Sequence, residues 1–184
     1  MSSDPRQRAL PPLPWVLVGL RGAGKTSVGR LLAEASGRKF VDLDEVLERR
    51  MGQSIPQLLA AGEPSFRRLE ADLLRTCLEL LCLGTPQASV LATGGGVVED
   101  PDSRRLLRAL PVVYLQAAPA LLAARVRADA QERPALVAGG PLREAEALWE
   151  RRDPLYREVA THVVSAADVA PVVSAAALRL LSAE

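Results

Sequence analysis

The stretch WVLVGLRGAGKTSVGRLLAEA, Trp15 to Ala35, joins a short apolar run to an amphipathic run across a glycine-rich turn. Gly19 and the run Gly24–Thr26 satisfy the pattern G-x-x-x-x-G-K-[S/T]. This pattern indicates a phosphate-binding loop when it follows a buried strand and opens a helix, and both flanks here have that character. The stretch therefore predicts a strand–loop–helix unit that binds a nucleotide.

Each residue type in the loop suits phosphate binding. The glycines let the backbone curl so that its N–H groups face phosphate oxygens, and the following helix adds the positive end of its dipole. Lys25 is one of only two lysines in a chain with 21 arginines, and its compact charge suits a tight loop better than a planar guanidinium. Thr26 offers a hydroxyl to Mg²⁺. A glycine-rich turn that binds nothing is the alternative. The predicted nucleotide contacts in the loop are Gly22, Ala23, Gly24, Lys25, Thr26 and Ser27.

Length and composition are typical of one globular domain. The 184 residues are 48% hydrophobic and 24% charged, with a net charge of +1 that gives no global attraction to nucleic acid or to a membrane surface. No apolar run reaches the ~18 residues of a membrane span. We expect a disordered leader over residues 1–14, a single domain over 15–184, and a monomer. Cys77 and Cys82 are expected to be unbridged in a reducing cytoplasm.

Short apolar runs alternate with amphipathic ones along the whole chain. This βαβα order predicts an α/β fold with a parallel sheet covered by helices on both faces. The irregular segment 127–142 mixes charge, glycine and proline, and indicates a candidate mobile lid at about 125–141. Strands are predicted, as nearly continuous apolar runs buried on both faces, at 15–19, 39–43, 89–93, 111–116 and 161–165, and helical patterns include 101–110, 118–128, 142–151 and 170–182.

Asp42 and Asp44 come at the end of the second predicted strand. Spaced i, i+2 in a strand, their side chains would point to the same face, at the sheet edge where the loop also lies. One carboxylate could serve Mg²⁺ through water and the other could orient a substrate hydroxyl. Alternatively, Asp44 only caps the next helix. Because the chain lacks asparagine, it cannot carry the Asn-Lys-x-Asp pattern of guanine-specific loops, which favours ATP.

Two further stretches have the residue types of an anion site. In GEPSFRRLE, Arg67 and Glu70 lie i, i+3 on one helix, so the carboxylate could hold the guanidinium rigid for an anionic substrate. A solvated surface pair is the alternative. In ATGGGVV, Gly94–Gly96 follow a strand directly and would let backbone N–H groups approach a ligand closely. A flexible turn is the alternative there.

Five arginines of the C-terminal half are candidates for contacts with a phosphate or another anion. Arg125, Arg127 and Arg133 fall on the predicted lid, where a cation could cover a transferred phosphoryl group or simply be solvated. Arg151 and Arg152 precede Asp153-Pro154, which we expect to cap a new helix.

Together these motifs resemble the shikimate kinase family, in the order GLRGAGKTSVG, FVDLDEVLE, GEPSFRRLE, ATGGGVV, ERPAL and RRDPLY, from about Trp15 to about Leu181. The resemblance implies a three-layer α/β/α P-loop kinase of the nucleoside monophosphate kinase fold, with a five-stranded parallel sheet in the order 2-3-1-4-5. It also implies ATP-dependent phosphorylation of the 3-hydroxyl of shikimate, in the route to chorismate and aromatic amino acids.

The resemblance also implies roles for single residues. Asp44 would bind the ring hydroxyls, including the attacking one. Lys25 would bridge the transferred group, and Arg133 would close over the phosphates. The remaining implied roles are the shikimate carboxylate for Arg67 and Arg152, the ring face for Gly94, Gly95 and Gly96, Mg²⁺ for Thr26 and Asp42, and adenine for Arg125 and the backbone near Pro171.

Departures from the family pattern fall on the nucleotide side. The lid reads RPAL, with Ala135 where the family commonly has leucine, and SAADVAPVV offers only Asp168 and backbone near the adenine. Two other functions are also compatible with the sequence. One is a related kinase for a polyol acid such as gluconate, and the other is a ligand sensor without turnover.

Overall fold

Alternating apolar and amphipathic segments form alternating strands and helices in the computed structural model, which describes residues 13–83, 88–128 and 140–182. A 3₁₀ turn at Val97–Glu99 follows the third strand. In chain order the other elements are β1 Trp15–Val18, α1 Lys25–Ser36, β2 Lys39–Asp42, α2 Leu43–Met51, α3 Ile55–Ala60, α4 Glu63–Leu83, β3 Ser89–Ala92, α5 Pro101–Leu107, β4 Val112–Gln116, α6 Pro119–Ala128, α7 Gly140–Val159, β5 His162–Ser165 and α8 Ala170–Leu181.

The five strands form one parallel sheet in the order β2-β3-β1-β4-β5. Strand β1 is central, with Trp15 opposite Val90 of β3 and Val16 opposite Val112 of β4. The chain therefore runs outward from β1 to β2, turns back to β3, and then crosses past β1 to β4 and β5. The expected fold class and strand order are confirmed, and the carboxyl end of β1 leads directly into the phosphate loop.

The core lies on the central strands. Every residue of β1 and β3 is buried, and so are the first four of β4. The expectation that all five strands are buried on both faces is wrong for the two edge strands. In β2, Lys39 is exposed and Phe40 and Val41 are half-buried, and in β5, Val163 is 43% exposed. Strands β2 and β5 form the edges of the sheet, so fewer neighbouring elements cover them.

Helices pack around the sheet and against one another. Helix α1 contacts β2 and β3 and packs on α8, which contacts β5, while α7 contacts β4 and packs on α5 and α6. None of the helices in the described ranges is both long and apolar enough to cross a membrane. Cys77 and Cys82 are free thiols, as expected.

Helix α7 corrects one expectation. It continues through Pro154 for 20 residues, so Asp153 does not cap a new helix there. The Asp153 carboxylate is instead buried and accepts hydrogen bonds from Tyr114 on β4 (2.9 Å) and Gln116 (3.1 Å). These contacts anchor this turn of the helix to the sheet, which offsets the cost of a proline inside it. Most of the expected leader and of the expected lid lie outside the described residues.

Candidate active site

In the phosphate loop, the Lys25 side chain folds back and contacts the backbone of the loop itself. Lys25 Nζ donates to the backbone carbonyls of Gly19 at 2.8 Å and Leu20 at 3.1 Å. Gly22 and Gly24 have φ of 83° and 87°, a left-handed conformation that disfavours any side chain. Added bulk at Gly22 would also meet the Leu122 carbonyl at 2.8 Å. The loop is thus held in a curled form that carries the ammonium group inside it.

Asp42 connects the loop to the next helix. Its Oδ2 accepts a 2.7 Å hydrogen bond from Thr26 Oγ1, and its Oδ1 caps α2 by accepting from the N–H of Asp44 at 3.0 Å. Helix α2 begins at Leu43, so Asp44 lies in the first helical turn, not in the strand. The expectation that Asp42 and Asp44 point to the same face because both lie in a strand is therefore wrong. The alternative that Asp44 is the N-cap of the helix is also wrong, because Asp42 fills that position.

Asp44 lies at a cavity on the carboxyl edge of the sheet. A Cβ added at Gly94 would come within 3.0 Å of Asp44 Oδ1, so the carboxylate sits directly above the glycine run. All six predicted substrate contacts line this cavity. Its described lining residues are Arg21, Asp44, Ile55, Leu59, Phe66, Arg67, Glu70, Gly94, Gly95, Gly96, Glu144, Leu148 and Arg152.

Arg67 and Glu70 form a buried ion pair. Arg67 Nη1 donates to Glu70 Oε2 at 2.8 Å, and the Glu70 side chain is 4% exposed. The alternative of a solvated surface pair is therefore wrong. Burial raises the pKa of Glu70, with Asp44 adding to that shift and Arg67 opposing it. Arg67 is less buried. Burial lowers the pKa of Arg67. Glu70, Glu63 and Glu99 together raise it by more, so the pKa of Arg67 lies above its usual range.

The glycine run packs against this pair without space for side chains. A Cβ at Gly94 would overlap Glu70 Oε1, and one at Gly96 would overlap the Arg67 guanidinium. Gly95 differs, because the nearest atom to an added Cβ is the Arg21 backbone nitrogen at 3.5 Å, an ordinary contact. The glycine run therefore packs closely against the buried charged groups of Glu70 and Arg67, and it is not a flexible turn.

Arg152 is buried beside the same run. Its side chain is 4% exposed, with Nη1 donating to the Gly95 carbonyl at 3.2 Å and Nη2 to Glu99 at 3.0 Å. The Tyr156 hydroxyl also donates to the Gly95 carbonyl. Tyr156 stacks on Tyr114 with ring centroids 4.8 Å apart, and burial raises the pKa of both hydroxyls well above 10. Both phenols are therefore neutral donors at physiological pH.

A second cavity adjoins the loop on the nucleotide side. Arg125 donates to the carbonyls of Ala166 at 2.8 Å and Asp168 at 3.1 Å, which ties α6 to the segment before α8. Pro171 is exposed in the first turn of α8 and does not line this cavity. The described lining residues are Ala23, Gly24, Ser27, Val28, Arg125, Ala166, Asp168, Val169, Ala170 and Val173. The predicted lid arginine, Arg133, lies outside the described residues.

Sequence reasoning missed three residues of the substrate side. Glu63 and Glu99 contact Arg67, and Tyr156 contacts Gly95. Tyr156 lies one helical turn after Arg152, so its shared face could have been inferred from i, i+4 spacing. Glu99 sits in a 3₁₀ turn outside any periodic pattern, and no sequence feature indicated its contacts.

Comparisons with known proteins agree with the architecture. The family model described as "Shikimate kinase" matches residues 21–182. A shikimate kinase from Oleidesulfovibrio alaskensis is 42% identical over 171 residues, 91% of this chain and 96% of that protein. One from Dechloromonas aromatica is 47% identical over 150 residues, 80% and 78% of the two chains. The solved shikimate kinase of Acinetobacter baumannii in complex with shikimate superposes with a TM-score of 0.82 at 37% identity, covering 93% of this chain and 94% of that one.

Proposed function

The chain belongs to the shikimate kinase family, and from that premise we propose how its residues divide the reaction between them. Its activity is the ATP-dependent phosphorylation of shikimate, in aromatic biosynthesis. The observation that carries the residue assignments is the cavity in which Asp44, Arg67 and Arg152 meet, close to the phosphate loop. One acid and two guanidiniums match a ring that carries both hydroxyls and a carboxylate.

Arg67 and Arg152 bind the shikimate carboxylate. Both guanidiniums line the cavity, and both are held by carboxylates and carbonyls on their other sides. A guanidinium is always charged and offers a planar fork that suits a carboxylate. The Gly95 carbonyl is engaged by Arg152 and Tyr156, so the glycine run meets the ring through its N–H side and its lack of side chains.

Asp44 orients the attacking hydroxyl. As the 3-hydroxyl oxygen forms its bond to the γ-phosphorus, the bond from that phosphorus to the bridging oxygen of ADP breaks. The hydroxyl proton passes to the Asp44 carboxylate and then to solvent. The carboxylate lies over the glycine run, so the same groups that hold the ring place its hydroxyl toward the loop.

Lys25 and the loop N–H groups, from Gly22 to Ser27, hold the nucleotide phosphates. Mg²⁺ would be held by Thr26 and Asp42, because both offer oxygen ligands that suit a hard cation and these oxygens lie 2.7 Å apart. When bound, the ion neutralises phosphate charge that develops during transfer. Arg133 closes over the phosphates.

Arg125, Asp168 and the backbone beside Pro171 form the adenine side. The support is the second cavity next to Gly24, whose walls come from α6 and the start of α8. Arg125 already bonds four backbone carbonyls of the loop and the segment before α8. It acts here mainly through its flat guanidinium surface, because both of its Nη groups already donate to these carbonyls.

The remaining proposals concern organisation. Residues 15–184 form one kinase domain after a leader, and the enzyme works as a monomer in the cytoplasm. All the groups assigned above belong to one chain, so catalysis requires no second copy. Two free thiols, Cys77 and Cys82, suit a reducing compartment.

A coupled assay of ADP release with shikimate, ATP and Mg²⁺ tests the function. We expect turnover by the wild type and loss of about 10³-fold or more in kcat for Lys25→Ala, since the loop cation acts on the transferred group. Lys39→Ala is the matched control, because Lys39 is the other lysine and is exposed. Turnover of the folded wild type no higher than that of Lys25→Ala would refute the proposal.

Substrate analogues test the assignments. An analogue lacking the carboxylate should lose most of its kcat/KM, because it cannot accept the hydrogen bonds that Arg67 and Arg152 would donate to that group. An analogue lacking the 3-hydroxyl should bind and not turn over. Equal kcat/KM for shikimate and the carboxylate-free analogue would rule out the two arginines as the carboxylate site.

A further inference from the structure

Glu99 joins the two arginines of the substrate cavity. Its Oε2 lies 3.0 Å from Arg152 Nη2 and 3.5 Å from Arg67 Nε, and its Oε1 lies 2.6 Å from Arg151 Nη2. The carboxylate comes from the 3₁₀ turn after the glycine run, Arg67 from α4, and Arg152 from α7. One side chain thus connects three separate segments of the chain.

Glu99 lies behind the arginines with respect to the substrate. Arg67 and Arg152 line the substrate cavity, whereas Glu99 lines a neighbouring outer groove together with Asp100. Arg67 borders both cavities. The Glu99 carboxylate therefore does not occupy the place of a substrate carboxylate, and it holds the guanidiniums from their far side.

Each of the other hydrogen-bond partners named above contacts only one of the two arginines, although the Glu70 carboxylate also interacts electrostatically with Arg152. Arg67 donates to Glu70 and Glu63, both on its own helix, and Arg152 donates to the Gly95 carbonyl. Among the described side chains, Glu99 is the one with ion-pair contacts to both. Two neighbouring buried cations repel each other, and a shared anion offsets that repulsion and fixes their separation.

We propose that Glu99 is a positioning residue, which sets the spacing and orientation of Arg67 and Arg152 so that both forks meet one substrate carboxylate. The inference rests on the proposed function, in which those arginines bind shikimate. It assigns Glu99 no contact with substrate. Its effect is expected in shikimate binding, and not in ATP binding or in the transfer step.

Steady-state kinetics of Glu99→Gln tests this role. The amide keeps the shape and loses the charge that holds two cations together. We expect KM for shikimate to rise about tenfold, equivalent to about 1.4 kcal/mol of binding. We expect kcat to change by less than about threefold and KM for ATP to stay unchanged. The carboxylate-free analogue should be affected much less than shikimate, because it does not use the arginines.

Two further variants make the result specific. Glu158→Gln is the matched control, since Glu158 also bridges two arginines, Arg104 at 3.1 Å and Arg108 at 2.9 Å, outside the cavity. It should leave KM for shikimate unchanged even where it lowers stability. Glu99→Asp keeps the charge on a shorter side chain, so it should recover part of the loss, and it carries the test if Glu99→Gln fails to fold.

The outcomes separate this inference from the function on which it rests. A wild type that does not phosphorylate shikimate refutes the function. A wild type that does, with KM for shikimate within about twofold in folded Glu99→Gln and Glu99→Asp, refutes the role of Glu99. A lower KM would also refute it, since Glu99 would then compete with the substrate for the arginines.

Discussion

Thr26 and Asp42 are joined by a 2.7 Å hydrogen bond that connects the phosphate loop to the end of β2. The second oxygen of the same carboxylate caps α2, the helix that carries Asp44. One side chain thereby fixes the loop hydroxyl proposed for the metal and the acid proposed for the acceptor hydroxyl. Different substitutions at Asp42 should therefore separate its contribution to stability from its contribution to activity.

Asp42→Asn should separate these two roles. Asparagine caps helices about as well as aspartate, so the free energy of unfolding should change by less than about 0.5 kcal/mol, whereas Asp42→Ala should lose about 0.5–2 kcal/mol. Both variants lose a carboxylate proposed for Mg²⁺, so both should need more Mg²⁺ for half-maximal activity. Urea denaturation and Mg²⁺ titrations of turnover measure the two effects. An unchanged Mg²⁺ requirement in Asp42→Asn would contradict the metal role.

Asp44→Asn should reduce kcat far more than it weakens ATP binding. The amide keeps the size of the side chain but cannot accept the hydroxyl proton, and a positioned base contributes about 10²–10⁴-fold. Glu45→Gln is the control, because Glu45 follows in the same helical turn and is exposed, with Arg30 as its partner. Steady-state kinetics with ATP and shikimate varied in turn gives the comparison. Equal losses in kcat and ATP affinity would argue against the acceptor role of Asp44.

The sequence predicted the parts of the site that depend on local pattern. The loop, the aspartate pair and the glycine run each follow a strand, and parallel strands bring their carboxyl ends to one edge. The depth of Glu70 and the contacts of Glu99 were not predictable in the same way. Both depend on how α4 and α7 pack over the glycine run, and i, i+3 spacing looks the same in a buried pair and a solvated one.

Helix α7 is a second case in which the local sequence pattern did not predict the structure. Asp153-Pro154 has the composition of a helix start, and local chemistry favours that interpretation. The helix continues because Tyr114 and Gln116, from a strand nearly 40 residues earlier, bind the Asp153 carboxylate. Tertiary contacts therefore keep α7 continuous at Asp153, where local propensity alone predicts the start of a new helix.

The glycine run should tolerate a methyl group at one position and reject it at two. Gly94→Ala and Gly96→Ala place a Cβ on Glu70 and Arg67, and forcing buried groups apart typically costs about 1–3 kcal/mol. Gly95→Ala meets its nearest atom at 3.5 Å and should lose little stability. Thermal or urea unfolding of the three variants under one condition compares them. A Gly95→Ala variant as unstable as the other two would show that the run is selected for backbone freedom, not for close packing.

The ion pairs of Glu99 should give the protein a measurable acid sensitivity. Burial would raise the pKa of Glu99, but Arg152, Arg151 and Arg67 outweigh it and hold the pKa below its usual value of 4.5. The folded state then binds this proton more weakly than the unfolded chain. The contribution of Glu99 to stability is therefore complete above pH 4.5 and is lost as the pH falls through the lower folded value. Glu99→Gln lacks this titration, so the difference in unfolding free energy between wild type and variant should be constant from about pH 6 to about pH 8. It should become smaller as the pH falls through the folded pKa of Glu99. Urea denaturation of both proteins from about pH 8 down to below the unfolded pKa of 4.5 measures this difference. A gap that widens on acidification would mean that the arginines do not stabilise the charged form of Glu99.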